Sequence, residues 1–100
     1  PAKKYAYCSD TAYHPDIIPI IKGVEWLYHE ATFLQQHEQL AHQTQHSTAK
    51  EAATIARDAQ VGRLILGHYS SRYKDLGLFA AEAREIFPDV TLASDGDVIS

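Results

Sequence analysis

The pattern of hydrophobic and polar positions along the chain predicts four strands with helical and irregular segments between them. Alternating or short apolar runs, bounded by Gly, Pro and polar residues, predict strands over 4–9, 24–29, 63–67 and 90–93. Residues 14–21 are predicted to form a short apolar helix or turn that ends before Gly23. Residues 30–46 are rich in Gln and His and only weakly periodic, which predicts a long loop with one helical turn.

The clearest predicted element is a helix that begins after Thr48. Thr48 and Glu51 have the spacing of a capping box, in which each side chain bonds the backbone amide of the other residue. The residues that follow place a thin apolar face on one side: Ala49, Ala52, Ala53, Ile55, Ala56 and Ala59. A second helix is expected after Asp75, which can cap it, and Pro88 prevents its continuation. The inner face of this second helix is predicted to carry Phe79, Ala83, Ile86 and Phe87.

The order strand, strand, helix, strand, helix, strand predicts an α/β fold with right-handed crossover connections. A length of 100 residues suits one domain, so residues 1–100 are expected to form a single unit. Apolar residues make up 45% and charged residues 22% of the chain, as in soluble globular proteins. No apolar run reaches the roughly 18 residues that span a membrane, so we expect no membrane association.

Three further features of the sequence bear on the cellular compartment, on nucleic-acid binding and on the extent of the protein. Cys8 is the only cysteine, which excludes an internal disulfide and a four-cysteine zinc site and agrees with a reducing cytoplasm. The net charge of −4 argues against a surface that holds nucleic acid by charge alone. The chain opens at Pro1 and contains no methionine, so we expect it to be a segment of a longer protein.

Polar side chains follow three predicted strands at the points where those strands end: Asp10, the pair His29 and Glu30, and His68. In open α/β sheets the ends of neighbouring strands converge, and ligand sites form there. Aspartate and neutral histidine are good zinc ligands, and a carboxylate can bridge two ions. We therefore expect Asp10, Glu30 and His68 to gather at one rim of the sheet.

Two other segments carry groups that suit a phosphate. His46 lies just before Thr48 at the start of the predicted helix, where unbonded amides and the helix dipole favour an anion. The loop over 68–73 adds the hydroxyl of Ser70 and the guanidinium of Arg72, whose planar fork matches phosphate geometry. We expect His46 to lie in the same pocket as the strand-end residues.

Each of these residues also has a plain structural interpretation when it is taken alone. Asp10 can be a turn residue, Glu30 can accept backbone hydrogen bonds, and Arg72 can be a solvated surface charge. An isolated histidine such as His29 or His68 is more often a core or surface residue than a ligand. The other histidines are interpreted as surface residues without clear partners: His14, His37 and His42. Tyr73 is interpreted as a core residue, and Cys8 as a small buried residue of a strand.

The combination is more specific than its parts. The motifs at residues 9–11, 29–33, 46–49 and 67–73, in this order, resemble those of ribonuclease Z, a zinc-dependent RNA endonuclease of the metallo-β-lactamase fold. The resemblance covers nearly the whole chain. Generic members of that superfamily share the aspartate and the last histidine, but not the two intervening motifs, His-Glu-Ala-Thr-Phe and His-Ser-Thr.

The resemblance implies the C-terminal half of an αββα four-layer sandwich. It also implies a function in removing the 3′ trailer of precursor tRNA by zinc-dependent phosphodiester hydrolysis. By position, Asp10 resembles the aspartate that bridges two zinc ions, and His68 the final ligand of the second ion. His46 resembles the catalytic histidine that protonates the leaving oxygen, and Glu30 the acidic residue that orients it. Ser70 and Arg72 resemble loop residues near the bound phosphate.

The sequence also departs from the family. The His-x-His-x-Asp-His cluster that supplies most ligands is absent, and so is a further histidine before Asp10. Two protein ligands cannot close a four-coordinate zinc site, so we expect the isolated chain to bind zinc weakly and to cut nothing. Half a sandwich leaves an apolar sheet face and a strand edge open. We therefore expect pairing with the missing N-terminal half or self-association as a homodimer.

Two other functions stay open at this point. One is another hydrolase of the metallo-β-lactamase fold, such as a phosphodiesterase that acts on small or cyclic substrates. The other is a non-catalytic interaction domain whose site is a relic. Cleavage of precursor tRNA by the full-length protein separates these functions from the first.

Overall fold

The computed structural model describes residues 5–8 and 15–93, and its centre is a four-stranded parallel sheet. The strands lie across the sheet in chain order: β1 Tyr5–Cys8, β2 Trp26–Glu30, β3 Arg63–Gly67 and β4 Val90–Leu92. All three neighbouring pairs are parallel. This confirms the four predicted strands and the α/β fold class. Because right-handed crossovers are the rule, a sheet in chain order places its connecting helices on one face.

Helical segments connect the strands. They are a 3₁₀ turn Pro15–Ile17 with α1 Ile18–Ile21, a 3₁₀ turn Gln35–His37 with α2 Glu38–Gln43, α3 Ala49–Ala59 and α4 Gly77–Arg84. The sequence prediction is wrong in extent for residues 30–46, where nine residues are helical instead of one turn. Ala41 is the only buried residue of α2, so this helix has no apolar face that periodicity could reveal.

The helix after Asp75 is shorter than predicted. α4 ends at Arg84, and Ile86 and Phe87 pack against the core from the turn that follows it. Asp75 contributes to the start of the helix, because its Oδ1 accepts the amide of Gly77 at 3.0 Å, although Leu76 occupies the N-cap position. The inner face of α4 consists of Phe79, Ala80 and Ala83, so Ile86 and Phe87 do not belong to it as predicted. The helix ends four residues before Pro88, so this proline is not the residue that terminates it.

α3 begins as the sequence predicts. Thr48 Oγ1 accepts the amide of Glu51 at 3.1 Å, and Glu51 Oε1 accepts the amide of Thr48 at 3.0 Å. These two bonds are the capping box, which satisfies two of the amides that a helix start leaves open. All six predicted apolar residues of α3 are buried. Because most of them are alanines, the helix axis can lie close to β2 and β3.

The two faces of the sheet differ sharply. One face, which includes Leu27, Leu64 and Leu66, is buried under the helices and forms the hydrophobic core. The other is aromatic, and among the described residues Tyr5 and Tyr7 are 59% and 65% exposed. On this face Tyr5 lies beside Trp26, and Tyr7 stacks on Tyr28 with ring centroids 4.4 Å apart. These four side chains are called the aromatic face below. Its exposure agrees with the open sheet face that we expect of half a sandwich.

None of the helices within the described ranges combines the length and the apolar character that a bilayer crossing requires.

Candidate active site

The site lies where β2 and β3 end side by side. Glu30, the last residue of β2, pairs with Gly67, the last residue of β3, and the Ala31 amide continues the pairing by donating to Gly67 O at 2.9 Å. His68 follows directly, with a φ of +63°, in the left-handed region that non-glycine residues rarely adopt. The Ser70 amide donates to Thr32 O at 2.9 Å, so the two strand extensions run together past the sheet.

Glu30 is the centre of the polar network at this rim. Its side chain is fully buried. Oε2 accepts the amide of Thr32 at 2.9 Å and the Thr32 hydroxyl at 2.7 Å. Oε1 accepts the amide of Ser47 at 2.8 Å and Nδ1 of His46 at 3.2 Å. Each carboxylate oxygen thus has two donors, which compensates for the loss of water on burial.

His46 is held by the ends of two helices. Gln45, with a φ of +60°, reverses the chain after α2, and the amides of Gln45 and His46 donate to His42 O and Ala41 O at 3.2 and 2.8 Å. This pair of bonds is a Schellman motif at the C-terminus of α2. Thr48, two residues after His46, is the N-cap of α3. Because the Glu30 carboxylate can only accept, Nδ1 of His46 carries the proton, and Nε2 is the nitrogen available for proton transfer.

His68 is oriented by a chain of hydrogen bonds that leads back to Glu30. Its Nδ1 lies 3.2 Å from the Thr32 hydroxyl oxygen. That hydroxyl donates its single proton to Glu30, so His68 must donate through Nδ1. The proton position leaves Nε2 as the ligand-type nitrogen, the arrangement seen when an outer partner fixes a metal-binding histidine. The rings of His46 and His68 are 5.4 Å apart between centroids.

The structure therefore brings together three of the four residues expected in one pocket. Glu30, His46 and His68 offer ligand atoms that all lie within 4.8 Å of one another, a group that could hold a metal ion. Because both oxygens of Glu30 are already engaged, the histidines are the better candidates, and one can bind an ion while the other transfers a proton. Two nitrogens do not close a four-coordinate zinc site, so these residues suit one corner of a metal site. Asp10 lies outside the described residues.

The two predicted phosphate-binding residues follow His68 in the chain. Ser70 is half-buried, and its Oγ accepts the amide of Arg72 at 3.3 Å. Arg72 is exposed, and its guanidinium lies 5.8 Å from the ring of Phe33, which itself lies beside His46. The loop thus carries a cation along the edge of the pocket.

His29, next to Glu30, belongs to the core and not to the pocket. Its ring is fully buried, and Nδ1 bonds Glu30 O at 2.8 Å. Nε2 is a buried atom without a hydrogen-bond partner in the described structure. Burial lowers the pKa of His29 from its ordinary value of 6.5, although the hydrogen bond to Glu30 O and the nearby carboxylates oppose that shift. The plain interpretation of His29 as a core residue is the one that the structure supports.

Two histidines that we interpreted as surface residues without clear partners, His37 and His42, have defined partners, so that part of the interpretation is wrong for both. His42 is exposed as expected, and His37 is half-buried. Nδ1 of His37 lies 2.6 Å from the Tyr73 hydroxyl, which also accepts the amide of Leu34 at 2.9 Å. Tyr73 is therefore a polar link between two loops as well as an apolar group. His42 Nε2 lies 2.6 Å from Glu51 Oε2, and this hydrogen bond raises the pKa of His42. His14 lies outside the described residues.

A second group that could hold a metal ion contains Glu38, His42 and Glu51. Here Glu38 and His42 are exposed, while Glu51 has one oxygen in the capping box and the other against His42. These contacts are those of an ion pair between α2 and α3, and they already engage both oxygens of Glu51.

Cys8 was predicted to be buried and is half-buried. Its thiol is free, and burial raises the pKa of that thiol.

Comparison with known proteins agrees with this geometry. Residues 1–69 match the family model described as β-lactamase superfamily domain. A ribonuclease Z from Parabacteroides distasonis is 57% identical over 94 residues, which is 94% of this chain and 31% of that protein. The chain spans about a third of the length of the curated relatives it matches.

Two solved structures are similar to the described fold. The metallo-β-lactamase fold protein YhfI from Bacillus subtilis superposes with a TM-score of 0.88 at 25% identity, covering 96% of this chain and 39% of YhfI. The short form of human tRNase Z gives a TM-score of 0.62 at 34% identity, covering 83% of this chain and 27% of the human one. The likeness confirms that the described sheet and helices are part of a metallo-β-lactamase fold.

Proposed function

Because this chain belongs to the β-lactamase superfamily, we propose that it forms part of the active site of an endoribonuclease that removes 3′ trailers from precursor tRNA. The relatives named ribonuclease Z and tRNase Z support this substrate over small or cyclic phosphodiesters. The observation that carries the proposal is the convergence of Glu30, His46 and His68, which are far apart in sequence, at one end of the sheet.

In this proposal His46, protonated on both nitrogens as the imidazolium, transfers the Nε2 proton to the leaving oxygen and becomes the neutral ring with its proton on Nδ1. Glu30 accepts from Nδ1 and so fixes both the ring orientation and the nitrogen that carries the transferable proton, Nε2. The same carboxylate holds the Ser47 amide, which fixes the backbone directly after His46. Glu30 thus serves as the orienting residue, since all of its acceptor positions are occupied within the protein.

We further propose that His68 and Asp10 are the metal ligands that this chain contributes, and that the metal is zinc. The orientation of His68 through Thr32 supports its part, because a proton on Nδ1 puts the lone pair of the ring on Nε2, the atom proposed to bind the ion. When bound, zinc supplies Lewis-acid activation of water and stabilises charge on the phosphate. Ser70 and Arg72 are proposed to bind the phosphate from the loop after His68, where a hydroxyl and a guanidinium are available.

The isolated chain is proposed to be inactive and to need the N-terminal half of its own domain. Two ligands do not complete a zinc site, and the aromatic face offers Tyr5, Tyr7, Trp26 and Tyr28 as an apolar surface for that half to cover. We also propose a homodimer, supported by the open edge of β1 in the described sheet. We propose a cytoplasmic location because Cys8 is the only cysteine of this sequence, which therefore uses no internal disulfide.

Cleavage of precursor tRNA by the intact protein tests the function, with His46→Gln as the variant. We expect kcat to fall about 10²–10⁴-fold, the usual contribution of a positioned acid. The matched control is His37→Gln, because His37 bonds Tyr73 and does not belong to the group of Glu30, His46 and His68. Its kcat should stay within about threefold of wild type. Product that ends anywhere other than the trailer junction, or equal losses in both variants, would contradict the proposal.

A further inference from the structure

The pair formed by His42 and Glu51 joins the end of one helix to the start of the next. His42 lies in the last turn of α2 and Glu51 in the first turn of α3. Nε2 of His42 lies 2.6 Å from Oε2 of Glu51, while Oε1 of Glu51 accepts the Thr48 amide. One buried carboxylate is therefore shared between the N-cap of α3 and the C-terminus of α2.

His46 sits in the short link between these two helix ends. Its amide donates to Ala41 O in the last turn of α2, one residue before His42. On the other side, Ser47 leads directly into Thr48, whose amide is held by Glu51. Any movement of α2 relative to α3 therefore changes the backbone from which the His46 ring projects.

We propose that His42 is a positioning residue for His46: its bond to Glu51 holds α2 against α3 and so keeps the His46 ring at Glu30. The expected effect of His42 on cleavage rests on the proposed function. The positioning of His46 by His42 rests only on the hydrogen bonds of His42, Glu51 and His46. The side chain of His42 is 49% exposed, so removing it leaves the hydrophobic core intact.

Three variants of the intact protein test this inference. His42→Leu removes the donor to Glu51, and His42→Gln keeps a donor at about the reach of Nε2. Gln39→Leu, at an exposed position on the same helix, is the matched control for an added apolar side chain. Two readouts are measured: amide hydrogen exchange across residues 38–59, and kcat and KM for precursor tRNA.

In His42→Leu we expect the amides of His46 and Ser47 to exchange about five- to tenfold faster, with the second half of α3 unchanged. We expect kcat to fall about three- to tenfold and KM to stay within about twofold, because misplacement of the acid affects the chemical step. His42→Gln and Gln39→Leu should both stay within about twofold of wild type.

Unchanged exchange at His46 in His42→Leu would overturn the inference. So would a loss in kcat that His42→Gln does not rescue, or one that Gln39→Leu shares. Wild-type protein that fails to cleave precursor tRNA would instead refute the proposed function. In that case the exchange comparison alone still decides whether His42 positions His46.

Discussion

Replacing Glu30 by glutamine keeps the shape of the side chain and exchanges one acceptor oxygen for an amide that donates. The carboxylate has four donors around it, two on each oxygen. With the amide nitrogen in place of Oε1, it faces the N–H of Ser47. With the amide nitrogen in place of Oε2, it faces the N–H of Thr32. Both orientations leave a buried backbone donor without an acceptor.

The magnitude follows from these bonds. Hydrogen bonds to a charged group each contribute about 1.5–3 kcal/mol, and an unsatisfied buried donor costs about 1–3 kcal/mol. Removing a buried charge recovers part of this, since Glu30 is fully buried and its charge is expensive to desolvate. We therefore expect Glu30→Gln to lower the free energy of unfolding by about 2–4 kcal/mol.

Urea denaturation of the intact protein measures this difference. The matched control is Glu82→Gln on α4, whose carboxylate accepts the amides of Gln35 at 2.9 Å and Lys50 at 2.8 Å. Glu82 is only half-buried, so water can replace a lost partner and we expect a loss below about 1 kcal/mol. Equal losses in the two variants would show that burial of the Glu30 network does not determine its contribution, and would refute the reasoning.

Three further outcomes are expected. Thr48→Ala removes the N-cap of α3 and should lower stability by about 1–2 kcal/mol in urea, with faster amide exchange in the first turn of the helix. Gly67→Ala drives a methyl group into the Tyr28 phenol ring and should cost about 1–3 kcal/mol, which Tyr28→Ala in the same chain should partly recover. Burial lowers the pKa of His29 from 6.5, so below about pH 6.5 the unfolded state binds a proton that the folded state does not bind. The free energy of unfolding therefore decreases as the pH is lowered. His29→Asn should flatten that fall in urea titrations at about pH 7.5 and 5, and an unchanged slope would contradict it.

The elements that could be predicted from the sequence are those whose stabilising contacts are local. The four strands show apolar runs, and α3 shows both a capping box and a helical apolar stripe. α2 shows neither. It is anchored by contacts distant in sequence, such as the Gln35 amide at the start of its helical segment, which bonds Glu82 of α4. The residues near position 40 in the sequence do not include this partner, so the periodicity of that segment could not predict the helix.

The same distinction separates the site residues that the sequence reveals from those it misses. Glu30 is the last residue of β2 and His68 directly follows β3. Parallel topology brings such positions together, so their convergence is predictable. The partners of His42 and His37 could not be predicted because they are set by tertiary packing. Glu51 is nine residues from His42 and Tyr73 is 36 residues from His37, separations that correspond to no local repeat.

Backbone strain at His68 accords with the proposal that this rim is a functional site. Among the described residues, three non-glycine residues have positive φ: Gln45, Gln60 and His68. Gln45 and Gln60 lie at helix ends, where this conformation is common, whereas His68 directly follows a strand. The left-handed conformation costs such residues on the order of 1 kcal/mol or more, and it persists only where surrounding bonds enforce it. At His68 those bonds are the Ala31 and Ser70 contacts between the two strand extensions. Glycine at position 68 would relieve this strain but would also remove the imidazole, so the strained histidine accords with the proposed role of His68 as a metal ligand.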